Sequence, residues 1–148
     1  MYVDDRLIFA KDDHTLQTVV ESLSEDFALT DEVSVDNFLG CKVTKNDMGE
    51  THITQPGLKE RILESLNLKN NCKRHSIPIR QAFVDHMHEK KSRAETWNYR
   101  SLISMVTYVV QITHPEISYA AHLLAGHVQD PQFVHEQSIK YLAHYLSG

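Results

Sequence analysis

The stretch Met1-Tyr2-Val3-Asp4-Asp5-Arg6-Leu7-Ile8-Phe9-Ala10 constrains the fold more than any other part of this chain. Tyr2 and Val3 favour strands, and so do Leu7, Ile8 and Phe9. Two adjacent carboxylates separate the two groups. Apolar run, Asp-Asp, apolar run predicts a tight hairpin, because Asp tolerates the dihedrals such a turn needs. The turn would hold Asp4 and Asp5 at its tip, forward of the sheet. A plain solvated turn accounts for the same residues, since Asp is common in turns. The chemical reading uses the same geometry. Hard divalent cations take oxygen ligands, and two-metal phosphoryl chemistry draws carboxylates from a rigid platform.

Composition sets the outer bounds. The 148 residues, 41% hydrophobic and 24% charged, suit one globular domain or two small pieces sharing a core. No apolar run is long enough to cross a bilayer, and we expect no membrane partner. No signal peptide precedes the first strand, and an apolar strand at Met1 suggests a chain cut out of something longer. Two cysteines, Cys41 and Cys72, make no disulfide framework and fit a reducing, intracellular compartment. The net charge of −5 argues against strong non-specific affinity for nucleic acid.

After the hairpin, Asp12 or Asp13 predicts a helix N-cap. Leu16, Val19, Val20, Leu23 and Phe27 then fall on one helical face, so this second aspartate pair has a structural explanation. Residues 29–36 are polar and turn-like. Phe38 to Lys45 alternates at Leu39, Cys41 and Val43 like a half-buried strand, with Gly40 marking a bulge or a close backbone approach. Asn46-Asp47-Met48-Gly49 is a turn, and Thr51 to Thr54 returns as the partner strand. Pro56 opens a helix with Leu58, Ile62, Leu63 and Leu66 on its apolar side. Residues 69–95 are mostly polar and predict a long connection, partly disordered or draped over the surface. Three helices complete the chain. Trp97, Leu102, Ile103, Val106, Val109 and Val110 mark the first, and Ile117, Ala120, Ala121 and Leu124 the second. Ile139, Leu142, Tyr145 and Leu146 mark the third, capped at Asp130-Pro131.

Several side chains invite a site and have plainer readings. Cys72, His75, His86 and His88 have tolerable spacing for zinc, but they sit in the loose connection. His122 and His127 are five apart and do not share a helical face. Cys41 takes the inward phase of a strand and reads as a small core residue. Trp97, Tyr99 and Tyr108 could stack on bases, yet their helical spacing predicts core packing.

Several blocks, in order along the chain, carry a family resemblance. Tyr2-Val3-Asp4-Asp5 before an apolar strand resembles the catalytic loop of a reverse transcriptase. Phe38-Leu39-Gly40, a strand, a turn and Thr54-Gln55-Pro56-Gly57 resemble the segment that follows it in copia-type LTR retrotransposons. So do Asn98-Tyr99-Arg100-Ser101-Leu102 and Thr113-His114-Pro115-Glu116-Ile117-Ser118-Tyr119-Ala120, and so does His135-Glu136 leading to Tyr145-Leu146-Ser147-Gly148. The resemblance covers the whole chain.

It implies an α+β fragment. Residues 1–55 would be a palm remnant with a catalytic-loop hairpin and a primer-grip hairpin, and residues 56–148 a helical thumb and connection. It implies RNA-directed DNA polymerisation as the ancestral activity, part of a retrotransposon Pol polyprotein. Asp4 and Asp5 would be catalytic and hold Mg²⁺, where two ions activate the primer 3′-hydroxyl and stabilise the leaving pyrophosphate. Tyr2 and Val3 would lie near the primer end. Phe38, Leu39 and Gly40 would form the primer grip, with Gly40 admitting the nucleic-acid backbone.

The departures matter as much. The family's third catalytic Asp and its fingers lie upstream of this loop and are missing. Arg6 stands where the family is usually apolar, Ser104 where it usually has Gly, and His114 where it usually has Arg. From His114 to Gly148 there is one Lys, no Arg and three acids, Glu116, Asp130 and Glu136. That loss of charge should weaken any grip on a primer-template duplex. We expect no polymerisation by the chain alone, unless an upstream palm-and-fingers fragment is supplied. The alternative is a folded non-catalytic remnant or binding module.

Overall fold

The computed structural model describes Ile8, residues 10–28, 37–68 and 74–148. The hairpin expected across Asp4-Asp5, the turn at 29–36 and Cys72 lie outside the described residues. The chain divides into two compact units, residues 1–52 and 53–148. The class is α+β.

In the first unit, helix α1 spans Asp13–Asp26. Asp12 is its N-cap, and the carboxylate accepts the Thr15 backbone N–H at 2.8 Å. Strands β1 (Asn37–Phe38), β2 (Cys41–Lys45) and β3 (Thr51–Thr54) form a small sheet in that order, and the unit boundary falls within β3. β1 and β2 pair antiparallel, with Asn37 opposite Lys42 and Phe38 opposite Cys41. Cys41 is buried, as its strand phase predicts, and burial pushes its thiol pKa up. The β2–β3 turn is closed by Asn46, whose Oδ1 accepts the backbone N–H groups of Met48 at 3.1 Å and Glu50 at 2.9 Å.

One expectation is corrected here. Residues 38–45 are not a single strand with a bulge at Gly40. The register leaves only Leu39 and Gly40 between the paired residues Phe38 and Cys41. Their φ values are 50° and 74°, so both turn residues are left-handed. That is the type I′ geometry, whose twist matches that of the flanking strands.

The second unit is helical: α2 (Pro56–Ser65), α3 (Gln81–Asp85), α4 (Tyr99–Ile112), a 3₁₀ turn (Pro115–Ile117), α5 (Ser118–Ala125) and α6 (Phe133–Leu146). Pro56 occupies the first turn of α2, where its missing N–H costs nothing. The helix ends in a Schellman motif. Asn67 takes φ 56°, its N–H donates to the Glu64 carbonyl at 3.0 Å, and the Leu68 N–H reaches the Leu63 carbonyl at 2.9 Å. Asn98 caps α4 through the Ser101 N–H at 3.0 Å. Tyr99, Leu102, Ile103, Val106, Val109 and Val110 all bury on one side of α4, against α2, the 3₁₀ turn and α5. Ile62, Ile117, Leu124, Ile139 and Leu142 complete the centre of this core.

Two further boundaries differ from expectation. Trp97 precedes α4 rather than belonging to it, and α6 begins after Gln132 rather than at Asp130-Pro131. The connection is also more structured than its polar composition suggests. From residue 74 it carries α3, and it is tied to α6 by the side chains described next.

Candidate functional site

Of the residues singled out for chemistry, Tyr2, Val3, Asp4 and Asp5 lie outside the described residues. Phe38, Leu39 and Gly40 are brought together at the tip of the β1–β2 hairpin. A Cβ built at Gly40 would meet nothing within 4 Å, so the turn presents open backbone at that point. Leu39 occupies a left-handed position that costs an ordinary L-residue about 1 kcal/mol or more. Among the described residues no group of three or more His, Cys, Asp or Glu side chains could hold a metal ion.

The remaining motif blocks have a different job in the structure. Two of them meet in the second unit. Gln55, fully buried at the N-cap of α2, accepts the Thr113 hydroxyl at 2.8 Å through its Oε1. Beside it, His114 Nδ1 lies 2.7 Å from Glu116 Oε1. Burial alone would raise the Glu116 pKa, but the His114 and Tyr145 side chains hold it below the usual carboxylate range. Tyr99 hydrogen-bonds to the Leu124 carbonyl at 3.0 Å, joining α4 to α5, and burial pushes its pKa well up.

His135 and Glu136 are each 1% exposed. His135 Nε2 lies 3.0 Å from the Met87 carbonyl. Glu136 Oε2 accepts the backbone N–H groups of Ala94 and Glu95, both at 3.1 Å. Arg93 and Lys140 flank the same carboxylate at 4.0 and 3.5 Å, and Lys140 also reaches Glu95 at 2.8 Å. The Arg93 guanidinium lies 4.4 Å over the Trp97 ring and donates to the Trp97 carbonyl at 2.8 Å. Farther along α6, the Tyr141 ring stacks on His75 at 3.9 Å, with the Arg80 guanidinium 4.7 Å from its centroid. Two adjacent polar residues of α6 thus hold a connection that also places Met87 in the core and packs Ile79 and Phe83 against it. The zinc reading of His75, His86 and His88 fails geometrically: His75 packs on Tyr141, His86 pairs with Glu89 at 2.7 Å, and His88 faces His127.

Sequence reasoning passed over His135 and Glu136 as structural anchors. A signal was present, because His135 shares a helical face with Ile139, Leu142 and Leu146.

No family model matches the chain, and no solved structure matches it. Curated proteins do. The whole chain is 25% identical to a segment of the retrovirus-related Pol polyprotein from transposon TNT 1-94 of Nicotiana tabacum, covering 12% of that protein. It is 27% identical to a segment of the corresponding polyprotein from transposon RE1 of Arabidopsis thaliana, covering 10% of it. It is 25% identical to an uncharacterised mitochondrial protein of Arabidopsis thaliana, covering 60% of that protein. The chain thus spans about a tenth of the two polyproteins, and its homologues are retrovirus-related transposon Pol polyproteins.

Proposed function

We propose that this chain is the later palm, thumb and connection of a copia-type reverse transcriptase, and that by itself it is a folded, non-catalytic part of that polymerase. The observation that carries the reading is the match of its whole length to transposon Pol polyproteins. Under this reading Asp4 and Asp5 are the metal-binding carboxylates and would hold Mg²⁺. Tyr2 and Val3 lie near the primer end. The Phe38-Leu39-Gly40 turn is the primer grip, and its open backbone at Gly40 suits close approach by a nucleic-acid strand.

Activity by the chain alone is not expected. Mg²⁺ keeps several waters and needs more than two adjacent carboxylates. Those carboxylates also repel each other, and Arg6, next in sequence, would relieve that repulsion without a metal. Positioning supplies most of phosphoryl-transfer catalysis, and these 148 residues match only about a tenth of the two polyproteins. The net charge of −5 further weakens a grip on duplex. A folded non-catalytic remnant or binding module is the second reading.

Primer extension on an RNA template with Mg²⁺ tests the proposal, using the chain alone and with an added fragment holding the upstream palm and fingers of a related polyprotein. Extension is expected only in the mixture, and it should vanish for Asp4→Asn. No extension in the mixture favours the binding module. Extension by the chain alone, lost in Asp4→Asn, overturns the non-catalytic reading. Duplex binding should be weak with a shallow salt slope, and tight, steeply salt-sensitive binding would contradict that expectation.

A further inference from the structure

Three histidines, His88, His127 and His135, meet at the start of α6. His135 uses both ring nitrogens: Nδ1 accepts the Gln132 backbone N–H at 2.7 Å, and Nε2 faces the Met87 carbonyl at 3.0 Å. An N–H at one nitrogen and a carbonyl at the other fix the neutral ring with its proton on Nε2. His127 stacks on this ring, with centroids 3.9 Å apart and planes 19° off parallel. His88 stands edge-on to His127 at 6.3 Å. Asp130 is the anionic group that acts on His135 from the α5–α6 connection. Lys91 borders the cluster: its carbonyl accepts the Phe133 N–H at 2.7 Å, and its ammonium lies 4.3 Å over the Phe133 ring.

We propose that this histidine stack is an acid-sensitive clasp, which holds residues 87–95 on α6 while its rings are neutral and releases them when they are protonated.

A proton can add to His135 only at Nδ1, the atom that accepts the Gln132 N–H. It would set donor against donor and break the bond that closes the first turn of α6. It would also leave an imidazolium in a buried site. A second proton on His127 would stack two like charges 3.9 Å apart. The next residue, Glu136, holds Ala94 and Glu95, so loss of the first helical turn unseats that anchor as well.

Burial holds both His127 and His135 below the usual histidine range, and charge on the neighbouring rings adds to it. On His135 the Met87 carbonyl and Asp130 act the other way without reversing the shift. The folded state therefore prefers the neutral rings. The clasp contributes fully above the ordinary histidine pKa of about 6.5 and weakens as pH falls below it.

Amide exchange of the full chain between pH 7.5 and 5.0, corrected for intrinsic rates, tests the clasp. The amides of Ala94, Glu95, Phe133 and Glu136 should lose protection as the pH falls. Those of Val106, Val109 and Val110 in α4 should not. In the same samples the ring resonances of His127 and His135 should titrate with the midpoint of that loss. His135→Gln cannot take up the proton and should flatten the response. If that variant is unfolded at pH 7.5, the wild-type midpoints decide. Protection at 94 and 95 that persists to pH 5.0 overturns the proposal. So does a loss that follows the exposed His86 while the His135 ring stays neutral, or one that a folded His135→Gln retains.

Discussion

Helices α1 and α4 are each 14 residues long, each begins at a side-chain N-cap, and each carries an apolar face at helical spacing. They differ in what covers that face. Six residues of α4 are buried, from Tyr99 to Val110. None of α1 is: Leu16, Val20 and Leu23 are half-buried, Val19 is 39% exposed and Phe27 55%. Periodicity thus specifies that a helix forms and which side is apolar. Burial needs a second surface, which α4 finds in α2, the 3₁₀ turn and α5.

The largest expected effect tests this contrast directly. Leu102→Ala should cost about 3 kcal/mol in urea unfolding, as a fully enclosed leucine does. Val19→Ala on α1 should cost less than about 0.5 kcal/mol. Equal costs would break the comparison and show that α1 has a covered face in solution.

A smaller effect probes burial by polar groups. Glu136→Gln keeps one oxygen for the two backbone N–H groups but removes the buried charge beside Arg93 and sets an amide NH2 against Lys140. It should cost about 2 kcal/mol and expose the Ala94 and Glu95 amides to exchange. A silent substitution would mean that His135, the ring contacts and buried Met87 hold the connection without the carboxylate.

The smallest effect has the opposite sign and lies in the first unit. Leu39→Asn puts a residue at ease in the left-handed region before Gly40, and should stabilise the hairpin by about 1 kcal/mol. The midpoint of urea unfolding monitored on the first unit would report it. A loss instead would show that the Leu39 side chain contributes more than its backbone costs.

These cases also show what the sequence made legible. The α4 face, the Asp12 cap and Pro56 at the start of α2 follow from local rules, and the structure agrees. The Leu39-Gly40 turn does not, because leucine is an unusual residue for a left-handed position and the alternation ran straight through it. The stop at Asn67 depended on two backbone hydrogen bonds rather than on glycine. The connection from residue 74 looked loose because its apolar residues are few, whereas Met87 reaches the core and a buried carboxylate, a histidine and stacked rings add the remaining anchors. Of the candidate site, the Phe38-Leu39-Gly40 tip is described, and Asp4 and Asp5 are not.

The His135–Glu136 anchor also orders events in time. Its hydrogen bonds join residues 48, 42 and 41 positions apart, whereas α4, the 3₁₀ turn and α5 pack on one another from adjacent stretches of chain. Closing such a long loop has an entropic cost that must be met before the contact stabilises anything. During synthesis, which runs from the N-terminus at roughly 5–20 residues per second, residues 87–95 are made seconds before the side chains that fix them. For that interval the connection has no seat. It can settle only when the first turn of α6 has formed, so the last helix completes a segment made some forty residues earlier.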